Sequence, residues 1–66
     1  MQENFNVGDI FEFSKPKHIL KLKGRILEVH NSYYRFIILE SNKPHLINKT
    51  GIFQKKGNLI NWINKL

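Results

Sequence analysis

The chain contains no cysteine, which excludes disulfide staples and thiolate metal sites and fits a reducing compartment. No apolar run approaches the ~20 residues of a membrane-spanning helix, and no charged leader precedes an apolar stretch, so a cytoplasmic location is expected. Carboxylates are scarce: Glu3, Asp9, Glu12, Glu28 and Glu40 stand against eleven lysines and arginines. None is placed as a general acid facing a general base, no nucleophile motif surrounds Ser14, Ser32 or Ser41, and no glycine-rich phosphate loop exists. His18, His30 and His45 lack the close spacing that zinc favours and read as loop histidines. A non-enzymatic protein is expected, with no cofactor, no metal, no small-molecule substrate and no membrane partner.

What remains is basic and moderately apolar. The net charge is +6 and the hydrophobic share 41%, enough for a packed core. Sixty-six residues make one domain, residues 1–66, because so short a chain buries only about 60% of its unfolded surface. Nine lysines against two arginines, with eight asparagines and nine isoleucines, suggest an AT-rich genome, bacterial or of a phage or other mobile element. Codon usage is then one reading of the lysine content, set against a binding role.

Periodicity assigns strands. Phe5, Val7, Phe11 and Phe13 alternate, which predicts a first strand over 5–13 with a kink or bulge at Gly8-Asp9. Asp9 falls on the apolar phase and is expected to bond a turn backbone. Residues 1–6 are expected to fray. Ser14-Lys15-Pro16-Lys17 breaks the strand. Leu20, Leu22, Gly24 and Ile26 then alternate with Lys21, Lys23 and Arg25, setting apolar groups on one face and cations on the other. Past Ile26 the phase shifts, and Gly24 marks the bend or bulge.

His30-Asn31-Ser32 is a turn, and Tyr33 to Leu39 a central strand buried on much of both faces. Ser41-Asn42-Lys43-Pro44 is another turn. A short strand is expected over 45–48, a hairpin loop over 48–51 with Gly51 left-handed, a strand over 52–54 and a turn over 55–58. In the tail, Leu59, Trp62, Ile63 and Leu66 form a helical stripe, yet Leu59, Asn61 and Ile63 alternate. A strand from Asn58 ending in a helical turn is preferred to a helix, because asparagines are poor helix formers. Together these give an all-β meander of five to six strands that hides its edges by curling into a small barrel.

Val7-Gly8-Asp9, Gly24-Arg25-Ile26 and Tyr34-Arg35-Phe36 occur in an order that resembles the small barrels of the Src-homology-3-type class, particularly the Tudor- and KOW-like ones. The resemblance covers about residues 5–40. It implies a small barrel that binds RNA, DNA, methylated peptides or other proteins, so it speaks to fold more than to function. Tyr33, Tyr34 and Trp62 read as packing aromatics rather than as a methyl-lysine cage.

The functional expectation is electrostatic. Lys15, Lys17, Lys21, Lys23 and Arg25 follow one another with no acid between, and residues 41–66 add five lysines, again without an acid. Segregated charge of one sign points to a polyanion, most simply nucleic acid. The expected contacts are Lys15, Lys17, Lys21, Lys23 and Arg25, with Arg35 beside them and Tyr33 stacking on an unpaired base. The rival is a protein–protein module or a small inhibitor of a host protein, presenting Ile37, Leu39, Ile60 and Trp62.

Overall fold

A computed structural model describes residues 4–17 and 19–66. Five strands form one antiparallel sheet: β1 Ile10–Ser14, β2 Lys21–Val29, β3 Tyr33–Ser41, β4 Thr50–Gln54 and β5 Ile63–Lys65. Their spatial order is β4-β3-β2-β1-β5. The first four make the expected meander, and the chain then crosses back to lay β5 against the free side of β1. The sheet does not close: among the described residues β4 and β5 remain its edges. The expected barrel is corrected to an open sheet, whose short end strands, β4 of five residues and β5 of three, do not pair with each other.

The alternation in β2 is borne out. Gly24 and Ile26 are buried and Leu22 half-buried, while Lys21 and Arg25 are exposed. Gly24 is required by a close approach. A Cβ there would lie 2.6 Å from Cζ of Phe11 and 2.8 Å from the carbonyl oxygen of Ile37. The pairing of β2 with β3 slips at Lys23/Gly24 and again at Ile26/Glu28. Leu39 is left over at the first slip and Leu27 at the second, which is the phase shift seen in the sequence. On β3, Tyr34 and Ile38 are buried and Arg35 and Glu40 exposed, so this strand is buried chiefly on one face rather than on both.

The core gathers Phe5, Phe11, Phe13, Ile26, Tyr34, Phe53, Ile60 and Ile63. Its rings meet mostly edge to face, with Phe5–Tyr34 at 5.6 Å and Phe11–Phe36 at 5.3 Å between centroids, an arrangement their quadrupoles favour.

Several boundaries differ from expectation. The first strand begins at Ile10, because Val7-Gly8 turns the chain with Gly8 at φ 92°. Phe5 is nevertheless buried, so of the segment expected to fray this position is anchored; residues 1–3 lie outside the described residues. Asp9 does bond a turn backbone, accepting from the N–H of Asn6 at 2.7 Å. The strand expected over 45–48 is a 3-10 turn, Pro44–Leu46, since proline at its start fixes φ and offers no donor to a ladder. Asn48, not Gly51, takes the left-handed conformation at φ 70°, and Gly51 lies inside β4. In the tail the order is reversed: a 3-10 turn, Asn58–Trp62, precedes β5. Among the described residues no helix is long and apolar enough to cross a membrane.

Candidate polyanion interface

The outward row of β2 is not uniformly positive. Lys23 stands across from Glu12 on β1 and Glu40 on β3, and its Nζ lies 3.9 Å from a Glu40 carboxylate oxygen. A shallow groove of about 380 Å³ there is lined by Glu12, Ser14, Lys21, Lys23, Glu40 and Asn42 together with Phe13, Leu22 and Ser41. Both carboxylates stand across from Lys23, while Lys21 faces Ser14. Arg25 faces Ile10 and Ile37 and has no acid opposite it.

Arg35 does not stand beside the β2 cations as a free group. Its Nη1 donates to Oε2 of Glu28 at 2.6 Å, while Oε1 of Glu28 lies 2.7 Å from Nε2 of His30. The Arg35 and His30 hydrogen bonds hold the Glu28 carboxyl below its ordinary range. Tyr33 stacks on His30, with centroids 4.4 Å apart. One face of the Tyr33 ring is therefore covered by His30. These four side chains knit the β2–β3 turn, an acid–histidine–arginine grouping the linear spacing concealed.

The remaining cations belong to loops. Lys15 and Lys17 lie in the β1–β2 connection and Lys43 in the β3–β4 connection, all exposed. Asn42 clasps the two loops together. Its Oδ1 accepts the N–H of Lys21 at 3.0 Å, its Nδ2 donates to the carbonyl of Ile19 at 2.6 Å, and its own N–H donates to the carbonyl of Lys21 at 3.1 Å. Ser41 Oγ donates to that same carbonyl at 3.1 Å and accepts the N–H of Lys43 at 3.0 Å. Neither segment 13–27 nor 41–66 contains an acid. Lys17 itself sits at φ 65° directly after Pro16, a position where glycine would relax the turn. Nζ of Lys15 lies 5.8 Å from the centroid of the Trp62 ring, a cation–π contact that leans this lysine toward the end of the second 3-10 turn.

Of the seven expected contacts, Lys15, Lys17 and Lys21 are thus gathered at one end of the sheet, and Arg25 projects alone from its face. Lys23, Arg35 and Tyr33 are engaged within the sheet. The clasp formed by Asn42 is not legible in the sequence, where the Ser-Asn-Lys-Pro string marks a turn but not what its side chains hold; Lys43 is one of the five lysines counted in 41–66. Ile60, expected on a protein-binding face, is buried in the core. His45 is exposed on the first 3-10 turn, and His18 lies outside the described residues. Among the described residues no three metal-ligating side chains cluster. In comparisons with known proteins, no family model, no curated protein and no solved structure matches this chain.

Proposed function

We propose that the protein is a non-enzymatic binding module that holds nucleic acid through its phosphates, at the loop end of the sheet rather than across its face. What supports this most is the clasp of Asn42, which unites two acid-free loops carrying Lys15, Lys17 and Lys43 beside Lys21, the first residue of β2. Phosphates need closely held cations without competing carboxylates, and every lysine that keeps its charge there releases counterions on binding. Contacts of this kind fix position without reading sequence. The strand order, with a 3-10 turn ahead of a final strand on β1, is compatible with the small-barrel class whose members include RNA and DNA binders.

The deciding measurement is fluorescence anisotropy with single- and double-stranded oligonucleotides at low and moderate salt. A Lys17/Lys21/Lys43→Ala variant should bind weakly, and a Lys23/Arg35→Ala variant should bind nearly as well as the parent. No binding at low salt, or equal loss in both variants, would defeat the proposal.

A further inference from the structure

Where the sheet fails to close, the core is open. A cavity of about 170 Å³ lies at the seam, lined by Phe11, Phe13, Leu20, Leu22, Phe36, Ile52, Phe53, Leu59 and Ile63. No polar side chain lines it. Two of its rim residues, Ile52 and Leu59, are 57% and 48% exposed, and Ile19 beside Leu20 is 79% exposed. Ile52 and Phe53 belong to β4, whose outer side no described strand pairs.

We propose that this seam is a docking site for an extended, acidic segment of a partner protein, which lies along the β4 edge and drops one large apolar side chain into the cavity. The cavity takes no part in the phosphate contacts proposed above, and only Lys15 and Lys21 border both. Three observations select this occupant. The volume suits a single leucine- or phenylalanine-sized group, comparable to the ~150 Å³ cavities that hold benzene. A lining without polar groups disfavours a nucleobase, whose edges would lose their hydrogen bonds on entering. Cations border the rim: Lys21 stands between the lining residues Leu20 and Leu22, Lys15 lies over the Trp62 ring at the end of the 3-10 turn that carries Leu59, and neither 13–27 nor 41–66 contains an acid. The same lysines repel a second copy of this chain, which would bring its own β4 edge with like charges. Strand addition supplies main-chain hydrogen bonds, and the cavity supplies side-chain selectivity.

The test is selection of dodecapeptides from a random displayed library on the purified full chain, followed by binding of the winning synthetic peptide. Enriched peptides should share one leucine, phenylalanine or methionine flanked by aspartate or glutamate. Replacing that apolar residue by alanine should weaken binding about tenfold or more. Amide shifts on binding should centre on Leu20, Ile52 and Leu59, and Ile52→Asp and Leu59→Asp should abolish it. Both positions are exposed, so thermal melts should show these variants folded; the amide shifts of the parent stand whether or not they are. Selection of peptides without the apolar–acidic pattern would overturn the proposal, as would failure to enrich any. So would shifts confined to the lysine loops, with the peptide displaced by a thymidine oligonucleotide.

Discussion

Asn42 and Lys21 bond each other twice where β2 begins and β3 ends: the N–H of Lys21 donates to the Asn42 side chain at 3.0 Å, and the N–H of Asn42 donates to the Lys21 carbonyl at 3.1 Å. The side chain thereby extends a strand ladder beyond the point where the strands end. Replacing it by alanine removes the side-chain half of the clasp, including the bond to Ile19 at 2.6 Å. Asn42→Ala should destabilise the fold by about 1–2 kcal/mol, read as a fall in melting temperature of roughly 4–8 °C per kcal/mol in a domain this small. Oligonucleotide affinity should fall as well, although no cation has been removed.

The salt dependence of binding separates phosphate contacts from bystanders. Each of Lys17, Lys21 and Lys43, mutated singly to alanine, should reduce the log–log salt slope by ~0.7–0.9. Lys23→Ala and Arg35→Ala should leave the slope nearly unchanged, because their charges are already opposed by Glu40 and Glu28. Equal slopes for all five variants would show that binding is diffuse.

Lys17 pits stability against binding. Its φ of 65° costs an L-residue about 1–2 kcal/mol, which glycine avoids. Offset by glycine's greater freedom when unfolded, Lys17→Gly should raise stability by up to about 1 kcal/mol while weakening oligonucleotide binding. Denaturant melts and anisotropy on one sample would report both, and a fall in stability would show that the turn is unstrained.

Gly24→Ala tests the close approach beneath Phe11. The added methyl would press on an aromatic ring at 2.6 Å and on a backbone oxygen at 2.8 Å, and the latter cannot rotate away. A loss of about 1–3 kcal/mol is expected, the usual cost of overpacking a filled core. Gly57→Ala meets nothing nearer than 3.5 Å and serves as the control.

Acid should loosen the β2–β3 turn and the turn before β1. The Glu28 carboxyl is held below its ordinary value of 4.5, principally by the Arg35 guanidinium and then by His30, and Asp9 below its ordinary 3.8 by the N–H of Asn6. Carboxyls depressed in the folded state add stability that is complete above those ordinary values and is lost as pH falls through the folded ones. Denaturation midpoints should therefore decline from about pH 4.5 downward. Glu28→Gln should flatten that decline, and an unchanged acid limb would show that the grouping adds nothing.

Much of the sheet could be read from the chain because its signals were local. The alternation from Leu20 to Ile26 is a property of neighbouring residues, and so is the shift of phase at Leu27, which survives as a slip in pairing. The misassigned stretch, 45–51, lacked such a signal: His45 to Asn48 alternates weakly, and Pro44 outweighs it by nucleating a 3-10 turn. Gly51 was the expected left-handed residue, but asparagine also tolerates that conformation, and Asn48 lies where the reversal must occur. Edge closure is a global property set by strand lengths and could not be found in a window of sequence.

The interface was half legible for the same reason. Runs of lysine without acids were visible, but that Lys23 meets Glu12 and Glu40 depended on which residues of β1 and β3 the sheet sets opposite it. Glu28, His30, Tyr33 and Arg35 lie close in sequence, yet their convergence needed the tight β2–β3 reversal. Asn42 reaches residues some twenty positions away, a reach no motif announces.

The placement of β5 has a consequence for biosynthesis. Phe13 and its partner Ile63 lie 50 positions apart, so at ribosomal speeds of ~5–20 residues per second β1 emerges about 3–10 s before the strand that covers it. Hairpins form in about 1–10 μs, so the meander can assemble while one flank of β1 is still bare. During that interval the nascent sheet exposes Phe11 and Phe13 to whatever else is being made nearby.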